Sequence, residues 1–129
     1  MPDWTEIIQK WKKEQELIKN SGLISWVNLL WCFHAIDISM GFENFSLKIY
    51  DDFDFVDKVF EWVEERNRVA IETVIKEVNP DFVLFDGDCA YKNGLMISPK
   101  IFHKLVFEKT KKTVGYLKQL NIPYTLHTD

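Results

Sequence analysis

Four consecutive apolar residues, Phe82-Val83-Leu84-Phe85, constrain this chain more than any other segment. With no polar alternation they make a strand that is apolar on both faces. Such a strand belongs in the middle of a parallel sheet. Asn79-Pro80 precedes it and ends a helix, because the residue before a proline is pushed out of the helical region. Asp86-Gly87-Asp88 follows it as an acidic loop. Upstream, Val56, Val59, Phe60, Val63, Ala70, Val74 and Val78 recur at helical spacing, with one polar gap at Asn67. Asp54–Lys58, Glu64–Arg68 and Glu72–Lys76 read as acid-before-base pairs on the exposed side of that helix. Downstream, Ser98-Pro99 opens another helix, with serine as N-cap and proline in the first turn. Phe102, Leu105, Val106, Val114, Leu117 and Leu120 form its buried side. Asn121 ends it, and Pro123 to Leu126 forms a last strand.

The first half reads less sharply. A helix runs from Trp4 to about Lys19, with Asp3 and Glu6 in a capping-box pattern, and Asn20-Ser21-Gly22 ends it. Leu23 to Val27 is expected as a short buried strand. Leu29 to Tyr50 reads as one or two short helices broken near Met40-Gly41. Strands alternating with helices predict an α/β domain built on a parallel sheet. The reading gives about three strands. A closed (β/α)8 barrel needs eight and typically ~250 residues. Three strands leave two sheet edges unpaired, so the reading is either a small open sheet or part of something larger.

At 129 residues the chain is one domain at most. Aromatic residues make up 15%, which excludes a disordered chain. The net charge of −4 argues against nucleic-acid binding. Lys100, Lys104, Lys109, Lys111, Lys112 and Lys118 crowd one helix and read as a solvated face. Cys32 and Cys89 form no C-x-x-C pair and read as reduced thiols of a cytoplasmic protein. The N-terminus lacks the apolar region of a signal peptide, and no apolar run approaches the ~20 residues of a membrane span.

In parallel α/β folds, chemistry sits at the C-terminal ends of the strands. Two strands here end in ionisable residues: Asp86 and Asp88 after the first, His127 and Asp129 after the second. Asp88 is a candidate to bind a substrate nitrogen, a metal or a catalytic water; the plain alternative is a loop carboxylate capping backbone N–H groups. Asp86 stands beside it, and two such carboxylates suit acid–base work. His127 and Asp129, two apart on a strand, point to one side. They suit a metal pair or a histidine oriented by a carboxylate, or else a hydrogen-bonded rim. Tyr91 and Lys92 either orient a substrate or brace the loop. Asn28 ends the first strand and is a candidate lining residue, while Trp26 reads as core. Cys89 beside Asp88 is a poor nucleophile. His34 and His103 fall in helical stretches and read as structural or surface residues.

The segment DGDCAYKNGLMISPKIF followed by HTD resembles the uroporphyrinogen decarboxylase superfamily. The elements that carry the resemblance are Asp88, Tyr91-Lys92-Asn93-Gly94, Ser98-Pro99 and His127-Thr128-Asp129; Met40 to Val63 also resembles the family's segment before its long helix. The resemblance covers roughly residues 23–129. It implies the central part of a TIM barrel, a partial (β/α)8 fold, with the site at the strands' C-terminal ends. It also implies decarboxylation of acetate side chains on a tetrapyrrole, with no metal or organic cofactor. Asp88 is then the carboxylate that holds the pyrrole nitrogens, with Asp86 second. Tyr91, Lys92, His127, Asp129 and Asn28 are the expected substrate-binding residues. A methyltransferase of the same superfamily is the alternative. There His127 and Asp129 would help hold zinc, and the partner is a corrinoid protein that exchanges a methyl group. A third reading is a non-catalytic, truncated fragment that self-associates through its open sheet edges. The sequence departs from the family in three ways. Its only arginines, Arg66 and Arg68, lie inside a helix; Gly87 stands where relatives carry an acid; and the glycine expected after Asp129 is absent, as though a barrel were cut there.

Overall fold

The computed structural model describes residues 3–128. Helix α1 (Thr5–Asn20) begins behind Asp3, whose carboxylate accepts from the Thr5 amide at 2.9 Å and the Thr5 hydroxyl at 2.6 Å. Strand β1 is Trp26–Leu30, three residues further along than the sequence predicts. The cause lies at its start. Ser25 is buried, and its amide and hydroxyl both donate to the Asp81 carboxylate at 2.8 Å. The Gln15 side-chain amide donates to the Ser25 hydroxyl. With residue 25 pinned there, Leu23 and Ile24 remain in an exposed loop.

Helices α2 (Cys32–Met40) and α3 (Phe42–Asp51) divide at Gly41, whose φ of 79° suits glycine alone. Helix α4 (Phe53–Ala70) continues through a π-turn (Ile71–Ile75) into α5 (Lys76–Val78). Asp52 caps its start by accepting from the Phe55 amide at 3.3 Å. Asn79 ends it in the left-handed conformation. Strand β2 (Phe82–Asp86) follows. A hairpin of β3 (Ala90–Tyr91) and β4 (Gly94–Leu95), not anticipated from the sequence, comes next. Helix α6 (Pro99–Phe102) opens under Ser98, which accepts from the Ile101 amide at 3.4 Å. It runs through a second π-turn (His103–Phe107) into α7 (Glu108–Gln119), and β5 (Tyr124–His127) completes the order.

The sheet is β1-β2-β5, all parallel, with β2 in the centre as its apolar run predicts. It is open, with β1 and β5 as its edges, so the described residues form a three-stranded parallel sheet with flanking helices and no closed barrel. One face carries Leu29, Val83 and Phe85 into a core shared with Phe60, Val63, Ile71, Leu105 and Leu117. Burying each such side chain stabilises the fold by about 1.5–3 kcal/mol before the ordering cost is counted. The opposite face carries Trp26, Asn28, Leu30, Phe82, Leu84 and Thr125. Trp26 is therefore not a core residue: it is 56% exposed and stacks on Phe82 with ring centroids 6.0 Å apart.

Two charge assignments also change. Arg68 pairs with Glu65 and Glu72 at 2.5 Å each, and Glu64 turns inward instead. Lys109 leaves the solvated lysine face and is buried, donating to Asp57 at 2.7 Å. Both cysteines are free and buried, as expected, and burial pushes the Cys32 thiol up to about 12.

Candidate functional site

The parallel register places Leu30, Asp86 and His127 in one row at the C-terminal rim of the sheet. That row brings two predicted residues together. His127 Nδ1 lies 3.3 Å from Asp86 Oδ1 and 4.0 Å from Asp88 Oδ1. All three side chains are about half exposed, so they are open to a ligand rather than sealed into the core. Two carboxylates flanking one imidazole can accept from N–H donors or hold a cationic group. Behind them Cys89 is buried, with its sulfur 3.0 Å from the Thr128 hydroxyl.

The other predicted residues are spread more widely. Asn28 stands beside Leu84, below the rim. It is exposed on the same open face as Asp86, in mid-strand and not at the strand end as predicted. Tyr91 is in β3 and 56% exposed; Lys92 is exposed at the hairpin's turn. The hairpin hangs directly after Asp88, so both follow the acidic loop without being packed into it. Asp129 lies outside the described residues. Among the described residues no three histidine, cysteine, aspartate or glutamate side chains converge as a metal-binding set.

Gly87, between the two aspartates, is closely packed. It is buried, and a Cβ there would lie 2.5 Å from His34 Cβ and 3.5 Å from the Trp31 ring. An acid at this position does not fit while His34 stays where it is. The contact also exposes what sequence reasoning missed. His34 and Asp37, on α2 just after β1, belong to this same rim. The available signals were the short step from strand to helix and the i, i+3 spacing of the two residues.

No protein-family model, curated protein or solved structure matches this chain.

Proposed function

We propose that this chain carries part of the substrate site of a uroporphyrinogen decarboxylase-like enzyme, acting on acetate side chains of a tetrapyrrole. The sheet then corresponds to three strands of a (β/α)8 barrel, with its open face toward the barrel interior. The observation that carries the reading is the meeting of Asp86, Asp88 and His127 at the C-terminal rim, on the residues that bear the sequence resemblance. Asp88, with Asp86 beside it, accepts from the pyrrole N–H groups and stabilises the positive charge of the protonated ring, which the electron pair left by departing carbon dioxide then neutralises. His127, Tyr91 and Lys92 meet the substrate's carboxylates, and Asn28 contacts it from the open face. No metal or organic cofactor takes part. The test is anaerobic incubation with uroporphyrinogen, followed by separation of products by carboxylate number. Products with fewer carboxylates, lost in Asp88→Asn, support the reading. A wild-type chain that neither binds nor converts uroporphyrinogen defeats it.

The open face favours a second reading, in which the chain is non-catalytic and associates with a second copy. Trp26, Leu30, Phe82 and Leu84 form an apolar surface beside two unpaired strand edges, and surfaces of this kind mark interaction sites. Light scattering coupled to size exclusion separates the two. A dimer that Trp26→Lys converts to monomer supports association; a wild-type monomer at all concentrations removes it. A zinc- and corrinoid-dependent methyl transfer gains no specific support, because the second residue of its metal pair is Asp129.

A further inference from the structure

His34 and Asp37 form a pair that the site above does not use. His34 Nδ1 lies 3.3 Å from Asp37 Oδ1. Both atoms are closed off from solvent, and neither makes a hydrogen bond among the described residues, so the 3.3 Å approach leaves the carboxylate facing the ring nitrogen without a formed hydrogen bond. The His34 side chain as a whole is 33% exposed. Its Cβ is covered by Gly87 and its Nδ1 by Asp37, so the exposed part is the outer edge of the ring that carries Nε2. Gly87 sits between Asp86 and Asp88, so His34 stands against the loop that carries the two carboxylates. A carboxylate facing one ring nitrogen keeps the proton there and leaves the other nitrogen free to exchange one.

We infer that His34 is a proton-exchanging side chain of the rim site and that Asp37 is its positioning residue. The inference rests on the decarboxylase reading for its substrate and on the geometry alone for its tautomer. Each lost carboxylate is replaced by a proton. The bond between the methylene carbon and the carboxylate breaks, carbon dioxide leaves, and a new C–H bond forms on that carbon. His34 as imidazolium supplies that proton from Nε2. The neutral ring keeps its other proton on Nδ1, facing Asp37, and water recharges Nε2. Asp86 and Asp88 on either side of Gly87 hold the substrate's N–H groups while this happens.

The experiment reads tautomer and turnover separately. Nitrogen-15 NMR on the labelled chain, with His34→Gln used for assignment among the three histidines, reports which nitrogen is protonated. Neutral His34 is expected to be protonated at Nδ1, and Asp37→Asn is expected to shift it toward protonation at Nε2. Protonation at Nε2 in the wild type, or no change in Asp37→Asn, overturns the inference whatever the activity. In the uroporphyrinogen assay, His34→Gln is expected to lower kcat about 100-fold with KM within twofold. Asp37→Asn is expected to fall between the two. Wild-type turnover that His34→Gln leaves intact overturns the proton-delivery step. The expected tautomer in a chain that neither binds nor converts uroporphyrinogen overturns the substrate reading and leaves the pair standing.

Discussion

Strand β2 has a carboxylate at each end of its span, and the two ends treat it differently. Asp81 precedes the strand and receives both the amide and the hydroxyl of Ser25, which is held in turn by Gln15. Those two donors, the amide first, hold the Asp81 carboxyl below its usual range. Asp86 and Asp88 follow the strand and, among the described residues, meet His127 at 3.3 and 4.0 Å, with about half of each side chain exposed. One end ties its polar groups into the start of the strand, and the other leaves them exposed. This is the division seen in parallel α/β proteins, where the N-terminal side of the sheet serves stability and the C-terminal side serves chemistry.

The sharpest way to test the division is Ser25→Ala. It strips Asp81 of one donor and leaves the buried Gln15 amide with only its long, 3.4 Å contact to the Asn79 carbonyl. Leaving a buried polar group unsatisfied costs about 1–3 kcal/mol. Urea denaturation is expected to show a loss near 2 kcal/mol, the order of that penalty. A loss no larger than that of a surface substitution would break the comparison, because the latch would then carry no register.

Gly87→Ala comes next and probes the opposite end. The added Cβ would lie 2.5 Å from His34 Cβ, and tight packing of this kind costs about 1–3 kcal/mol when a backbone must shift. His34→Ala retains the offending Cβ and is not expected to restore stability in the double variant. His34→Gly removes it and is expected to restore part of the loss, less about 1 kcal/mol for glycine in a helix. Equal behaviour of the two double variants would show that the rim is not organised around this contact.

The sheet itself was legible in the sequence, and the rim only in part. The apolar run of β2, the proline after Asn79 and the Ser98-Pro99 start are local signals, and each is found where it was read. The start of β1 was misplaced because its register depends on Asp81, 56 residues away. The exposure of Trp26 was missed for a related reason. An apolar strand residue looks the same whether its face is covered or open, and only the placement of the helices decides which. Asp86, Asp88 and His127 could be expected together because strand ends in a parallel sheet share one edge. His34 and Asp37 left a weaker signal, their i, i+3 spacing, and the position of His34 carries no mark of the glycine it packs against. The hairpin after Asp88 also escaped, being only two residues on each side.

Asp81→Asn sharpens the same contrast through pH, with a smaller effect because the side chain is exposed. Its folded carboxyl titrates below the ordinary aspartate range, so its contribution is fully present above that range. It is lost as pH falls through the lower, folded value. The gap in melting temperature between wild type and Asp81→Asn is therefore expected to narrow as pH is lowered from 6 toward 3, followed by thermal unfolding. A gap that stays constant over that range would mean that the Ser25 donors do not favour the charged form.

The smallest effect on stability is expected where the effect on function is largest. His127 faces Asp86 in an exposed pair, and such pairs contribute about 0–1 kcal/mol because water and salt screen them. His127→Ala and Asp86→Asn are each expected to change unfolding free energy by no more than about 0.5 kcal/mol. Both are expected to weaken binding of uroporphyrinogen at least tenfold, measured by quenching of tryptophan fluorescence. Trp26 on the open face and Trp31 behind Gly87 are two of the five tryptophans that contribute to that signal. Stability and binding then separate at this end of β2, whereas Ser25→Ala at the other end lowers stability without touching the rim. If His127→Ala instead unfolds the chain, the C-terminal rim is a structural latch like its counterpart. The two ends of the strand would then differ in exposure alone.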